Sequence, residues 1–277
     1  MPRRINQHAP LATIGGKSQV IESICEVIEY AIKEYDLVGV ADYFMGSCRL
    51  FLHLDSPREL DFKLANDIDR GVICFYKCLQ DPYQTDLLID EIQLIAEYYK
   101  SKEQFEKAKL ERIDERTSQI RAAALTYIVS KYSRASDREN FSGANTVYKD
   151  IKPALLKNLL FLDEIIGDVE LTCGDYLYQF DKYTDLSNMI SWFDPPYIIT
   201  NGNETTITHG FADFTLNDQR DLVDKLLSTN NKILLSGYSN VIYKRLEENG
   251  FQKHFIGLVH VKSSSIEREF RAPPPIL

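Results

Sequence analysis

The chain has 277 residues, 44% of them hydrophobic, which is enough to bury one large domain or a domain carrying an insertion. It lacks any apolar run of about 18 residues, which argues against a membrane-spanning helix. A net charge of −9 means that any contact with nucleic acid must come from local basic patches and not from the sum.

The opening residues Met1-Pro2-Arg3-Arg4-Ile5-Asn6 lack the apolar core of a signal peptide, so a cytoplasmic protein is expected. The five cysteines are odd in number and show no paired metal spacing, which fits a reducing compartment. Cys74 and Cys78 share a helix face and read as core; no metal is expected.

Leu11-Ala12-Thr13-Ile14-Gly15-Gly16-Lys17 forms a turn before a helical pattern running from Ser18 to about Tyr35. Such a turn offers backbone amides and one ammonium to a carboxylate. Leu37 to Ala41 reads as a short buried strand, and Asp42-Tyr43-Phe44-Met45-Gly46-Ser47-Cys48 as a tight turn into a helix. Strand, acid, glycine turn and helix make the first unit of a doubly wound nucleotide-binding sheet. Phe62 to Asp69 is a strand ending in acids, followed by a helix through Leu79. A carboxylate there, Asp67, is suited to ribose hydroxyls, although an acid in a strand-to-helix loop, read without its neighbours, is more often the cap of the next helix.

From Asp86 to Tyr132 the apolar residues recur at helical intervals, and the charge alternation from Lys102 to Arg121 predicts an exposed helix face. A polar stretch, Lys131 to Asn145, precedes a further helix expected from Ile151 to Ile166. Between Lys131 and Lys157 six basic residues, Arg134 and Arg138 among them, face three acids. The α/β pattern returns at Val169 to Cys173, ahead of Gly174-Asp175-Tyr176. Met189 to Phe193 is an apolar strand that stops at Asp194-Pro195-Pro196-Tyr197, because proline cannot donate to a ladder and restricts the residue before it. The carbonyls there are left able to accept from a ligand, although a proline turn with a capping Asp would read the same way. Asn201 to Ala212 is expected as a polar loop, followed by helix Leu216–Leu227, strand Lys232–Ser236, helix Val241–Glu248 and a last strand near Phe255–Val261.

Asp194-Pro195-Pro196-Tyr197 resembles the catalytic motif of the amino-group DNA methyltransferases, and the other elements, in their order, resemble the Dam-like adenine-N6 family. The resemblance implies an α/β fold: a doubly wound, Rossmann-like S-adenosylmethionine-dependent methyltransferase sheet with a mostly helical inserted target-recognition domain. It implies a catalytic domain over 1–84 and 165–277 and a DNA-recognition insertion over 85–164. In it, Asp194 and the Pro195 carbonyl accept the hydrogens of the target amine and Tyr197 stacks on a base that has left the duplex. S-adenosylmethionine would be held by Thr13, Lys17, Asp42, Phe44, Gly46, Asp67, Asp175, Tyr176 and Asp194. Arg134, Arg138 and Lys262, the last in a basic-Ser-x-Ser element Lys262-Ser263-Ser264-Ser265, would face DNA.

Three positions depart from the family pattern. Thr13 stands where the family has an aromatic residue, Tyr43 where it has proline, and Cys48 where it has a second glycine. If that glycine needs positive φ, a side chain there costs on the order of 1 kcal/mol.

The expected function is site-specific adenine-N6 methylation of double-stranded DNA by a bacterial or phage protein, with room for a restriction endonuclease partner. Two other readings stay open. One is an inactive descendant that binds DNA or cofactor, in keeping with Thr13, Cys48 and the net acidity. The other is a methyltransferase for a different planar amine, on cytosine, RNA or protein glutamine.

Overall fold

The computed structural model describes residues 9–11, 20–143, 151, 156–183, 188–201, 204–207, 214–238 and 240–254. Its centre is a parallel five-stranded sheet in the order β3-β2-β1-β4-β7, formed by β1 (Gly39–Asp42), β2 (Phe62–Asp67), β3 (Glu170–Cys173), β4 (Met189–Phe193) and β7 (Lys232–Leu235). The first three strands step one way from β1 and the later ones step the other way. The order therefore reverses between β1 and β4, which pair in parallel with Ala41 opposite Ser191 and Asp42 opposite Trp192. In open α/β sheets ligands collect beyond the carboxyl ends of strands at such a reversal. Every residue of β1 and β4 is buried, which explains why both read as unbroken runs and not as alternating ones.

By their contacts the described residues fall into two compact units. The first lies within Met1–Gly16, Met45–His53 and Ala65–Gly174. It contains α2 (Arg49–His53), α3 (Arg70–Leu79), α4 (Pro82–Ile95), α5 (Lys102–Glu111), α6 (Gln119–Tyr132) and α7 (Asp163–Ile166). Each of α3 to α6 begins on a side chain that accepts from the first turn: Asp69, Asp81, Ser101 and Ser118. Helix α6 is buried from Ala122 to Ser130 on all faces, its alanines letting α3, α4 and α5 approach closely. Arg121 joins three of these helices and the segment between two of them: Nη1 lies 2.8 Å from Glu91, Nε 2.9 Å from Glu111, and Nη2 donates to the Tyr99 hydroxyl at 2.7 Å. The charge alternation of this stretch thus crosslinks helices as well as facing solvent.

The second unit lies within Lys17–Phe44, Leu54–Leu64 and Asp175–Leu277. It holds α1 (Ile21–Glu34), α8 (Tyr176–Lys182), α9 (Leu216–Ser228) and α10 (Lys244–Glu248). Tyr43 is 1% exposed and stacks on Phe193 at 4.9 Å, with Phe180 edge-on at 5.4 Å. The residue in place of the family's proline is therefore core.

Three sequence expectations are corrected. The helix expected from Ile151 to Ile166 is not continuous over its described part: Leu156 is helical, Lys157–Leu159 is a short 3-10 turn and α7 is a single turn. Phe161 adopts φ +66 between them, which no continuous right-handed helix allows. The stretch from Asn201 is not a plain loop: β5 (Ile198–Asn201) and β6 (Glu204–Ile207) form an antiparallel hairpin with Asn201 opposite Glu204. In the sequence, β-branched Ile198, Ile199, Thr200, Thr205, Thr206 and Ile207 lie on either side of Gly202-Asn203, a glycine-asparagine pair that signals a two-residue connection. Finally, α10 starts at Lys244 and not at Val241: Asn240 caps a turn there, accepting from the amides of Ile242 and Tyr243 at 2.9 Å, but the bonds that follow, Arg245 to Ile242 and Leu246 to Tyr243, span three residues and not four. The strand expected near Phe255–Val261 lies outside the described residues. No described helix is long and apolar enough to cross a membrane.

Candidate active site

Strand β4 ends where its chemistry requires. The Phe193 carbonyl takes a last bond from the Ser236 amide at 2.9 Å, and the next residue able to donate from its backbone beyond Asp194 is Tyr197. The Tyr197 hydroxyl donates to Asp194 Oδ1 at 2.8 Å, and its ring meets that of Tyr238 edge-on at 4.8 Å. Behind the motif, Gln219 Nε2 donates to the Pro196 carbonyl at 2.6 Å. The Tyr243 hydroxyl donates to Gln219 Oε1 at 2.5 Å. Burial first, and then the Asp194 charge, push the hydroxyls of Tyr197, Tyr238 and Tyr243 above the ordinary tyrosine range. All three stay protonated near neutrality, so they act as donors.

At the end of β1, Asp42 is fully buried and its Oδ1 accepts from the Phe44 amide at 3.1 Å. The Phe44 ring lies 4.8 Å from Tyr176 and 5.9 Å from Phe214, and the Tyr176 hydroxyl donates to the Asp218 carbonyl at 3.1 Å. Two of the residues singled out by sequence, Phe44 and Tyr176, thus share one aromatic group. Asp175 is exposed and spends one oxygen on the Tyr178 amide, at 3.0 Å, as the cap of α8.

The first unit holds the remaining described candidates. Gly46 adopts φ +52 and its amide donates to Asp67 Oδ2 at 2.7 Å; Asp67 Oδ1 accepts from the Asp69 amide at 2.9 Å. The cap of α3 is Asp69 and not Asp67, so the acid at the strand end is not consumed by the helix. Cys48 adopts φ +55 and is fully buried: the turn keeps a glycine-like conformation without a glycine.

Burial, reinforced by the Asp69 charge, raises the Asp67 pKa. For Asp69, burial also pulls upward, but the guanidiniums of Arg112 and Arg138 outweigh it and the net shift is down. Arg112 Nη1 lies 2.5 Å from Asp69 Oδ1, with both side chains almost fully buried. Arg138 turns inward, Nε 3.7 Å from Asp69 Oδ2 and 12% exposed, whereas Arg134 is exposed on a short 3-10 turn. Thr13, Lys17 and Lys262 lie outside the described residues.

Sequence reading did not single out Phe214, Gln219, Tyr238, Tyr243, Asp69 or Arg112. Each is an ordinary residue in an ordinary helix, turn or strand end, and only the fold brings it to its partner.

The chain is similar to the type II methyltransferase M.FokI of Planomicrobium okeanokoites, 22% identical over 247 residues. That match covers 87% of this chain and 37% of the relative, so the chain spans little more than a third of that protein's length. A sequence model of one family matches residues 14–257, a span that includes the glycine turn, Asp67, the helical segment and the Asp194 motif. With that much of it matched, the chain belongs to the D12 class N6 adenine-specific DNA methyltransferases.

Proposed function

We propose that the protein transfers the methyl group of S-adenosylmethionine to the N6 amine of an adenine flipped out of double-stranded DNA. The observation that carries this reading is the position of Asp194-Pro195-Pro196-Tyr197. It follows β4 directly, beside β1, where the strand order reverses.

The residues fit the cofactor. The ring group of Phe44 and Tyr176 suits a nucleobase, and the carboxylates of Asp42, Asp67 and Asp175 suit ribose hydroxyls, an exocyclic amine and a cationic nucleoside. Gly46 brings its backbone close beside Asp67. Thr13 and Lys17 complete the proposed set. When bound, S-adenosylmethionine supplies an electrophilic methyl group.

The amine of adenine is a poor nucleophile because its lone pair is spread into the ring. In this reading Asp194 and the Pro195 carbonyl accept its two hydrogens, which concentrates the lone pair and fixes its direction. Tyr197 stacks on the base, and its hydroxyl gives up Asp194 to the incoming amine. Catalysis is assigned to 1–84 and 165–277 and DNA recognition to the helical segment 85–164. Arg134, at the surface, and Lys262 are assigned to DNA; Arg138, turned onto Asp69, is the less open of the two arginines. A restriction endonuclease acting at the same site would be the natural counterpart.

The test is transfer of labelled methyl from S-adenosylmethionine to unmethylated DNA, with Asp194→Ala alongside and nucleoside analysis of the product. Label in N6-methyladenine that disappears in the variant is expected. Label in cytosine, RNA or protein, or cofactor binding with no label at all, overturns the reading.

A further inference from the structure

Gln219 is fully buried on the first turn of α9, yet both ends of its amide are used. Its Nε2 donates to the Pro196 carbonyl at 2.6 Å and its Oε1 accepts from the Tyr243 hydroxyl at 2.5 Å. The tyrosine itself is 1% exposed and seated by Gly237, where a Cβ would stand 2.3 Å from its ring. These contacts fix the orientation of the amide, since the reverse placement would set two oxygens against each other at Pro196. The helix start is anchored too, by the bond from Tyr176 to Asp218. A polar side chain with no exposure and two short bonds is costly to bury unless both partners are in place.

The Pro196 carbonyl matters because of the residue it belongs to. The ring of Pro196 fixes its φ, and Gln219 fixes the direction of its carbonyl, hence its ψ. With both torsions held, the peptide carrying the Pro195 carbonyl is locked in orientation against the peptide that leads into Tyr197. We infer that Gln219, held by Tyr243, is a positioning residue for the transfer reaction: it aims the Pro195 carbonyl and the Tyr197 ring at the target amine without touching it. This rests on the proposed methyl transfer, and the experiment is arranged so that the two can fail separately.

Single-turnover methyl transfer to DNA is measured with the full chain for Gln219→Leu, Gln219→Glu and Tyr243→Phe, together with equilibrium binding of S-adenosylmethionine. Misaimed groups in a reacting site lose rate while binding survives, so Gln219→Leu is expected to fall roughly tenfold to a hundredfold in rate, with cofactor affinity nearly unchanged. Tyr243→Phe, which removes one hydroxyl, is expected to lose a smaller factor and to fold.

The glutamate variant gives the signature that a merely structural role would not. The introduced carboxyl, once protonated, can donate to Pro196 and accept from Tyr243; ionised, it still accepts from Tyr243 but repels the Pro196 carbonyl. Asp194, Asp218, Asp221 and the hydroxyls of Tyr176, Tyr197, Tyr238 and Tyr243 are among the titratable groups around this cluster, and burial beside these carboxylates raises the pKa of an added carboxyl. The rate of Gln219→Glu relative to wild type should therefore recover as pH falls, while that of Gln219→Leu should not.

A Gln219→Leu rate within twofold of wild type overturns the inference, as does an unchanged rate in Tyr243→Phe should the leucine variant not fold. If wild type itself transfers no methyl to adenine, the proposed reaction has failed. The inference is then judged on protein labelled with carbonyl 13C in proline. A Pro196 signal that shifts in Gln219→Leu upholds the hold on this carbonyl, and a signal that stays in place refutes it.

Discussion

The Tyr197 hydroxyl donates to Asp194 Oδ1 at 2.8 Å, so the acid proposed to receive the substrate amine already takes a donor from its own motif. The two functions of Tyr197, ring and hydroxyl, separate by mutation. Tyr197→Phe keeps the ring and removes the competing donor, and we expect activity within a few-fold of wild type. Tyr197→Ala loses stacking as well, a contribution of about 1–3 kcal/mol, which is roughly 5- to 150-fold in kcat/KM. Equal damage from the two changes would mean that the hydroxyl, and not the ring, carries the role.

Cys48 reverses an ordinary rule of substitution. At a buried site alanine normally preserves more stability than glycine, but Cys48 has φ +55, where any Cβ is strained. Cys48→Ala and Cys48→Gly both lose the thiol, and only the second loses the strain. Cys48→Gly should therefore be the more stable of the two by about 1 kcal/mol in denaturant unfolding. Alanine ranking above glycine would show that this turn is not left-handed.

The strands and the motif were legible because they rest on local chemistry. Met189 to Phe193 is apolar and ends at two prolines, and that is where β4 ends. Asp42 and Gly46 could be marked because strand, acid and glycine turn follow one another directly, whereas Phe44 was marked only by the resemblance to the family's motif. The clusters around them were not legible. Gln219 reaches Pro196 over 23 residues and Arg112 reaches Asp69 over 43, pairings that no periodicity encodes. Arg112 sits at the end of a charged helix that reads as solvated, yet it is 1% exposed. Asp67, read on its own, points to a helix cap before it points to ribose; the structure gives the cap of α3 to Asp69, two residues on.

Asp67 should make cofactor binding sensitive to mild acid. Burial and the neighbouring Asp69 raise its pKa, so it protonates at a higher pH than an ordinary aspartate. A protonated carboxyl is a poorer acceptor for ribose hydroxyls, and affinity for S-adenosylmethionine should fall as pH drops through this raised value. The effect on folding has the opposite sign: the folded state binds this proton more readily than the unfolded one, so this group adds stability as pH falls. Binding titrations across pH should show the loss in wild type. Asp67→Asn should bind more weakly and with a flatter profile; an unchanged profile would remove Asp67 from the site.

Asp69 makes the contrary prediction for stability. Its folded pKa lies below that of the unfolded chain because Arg112 and Arg138 outweigh burial, so its contribution is present above about pH 4 and is lost as pH falls through the depressed folded value. At neutral pH, Arg112→Met leaves a buried carboxylate with Arg138 alone, 3.7 Å away, and should cost about 3–5 kcal/mol. Asp69→Asn keeps a side chain able to cap α3 while removing the charge. Combining it with Arg112→Met should cost clearly less than the two single changes added together, because the double variant buries neither charge of the pair. Urea unfolding of the four proteins at pH 7 and at pH 3 reads both effects. The acid-induced loss should be largest in wild type and smallest in Asp69→Asn, and simple additivity at pH 7 would show that Arg112 and Asp69 do not act as a pair.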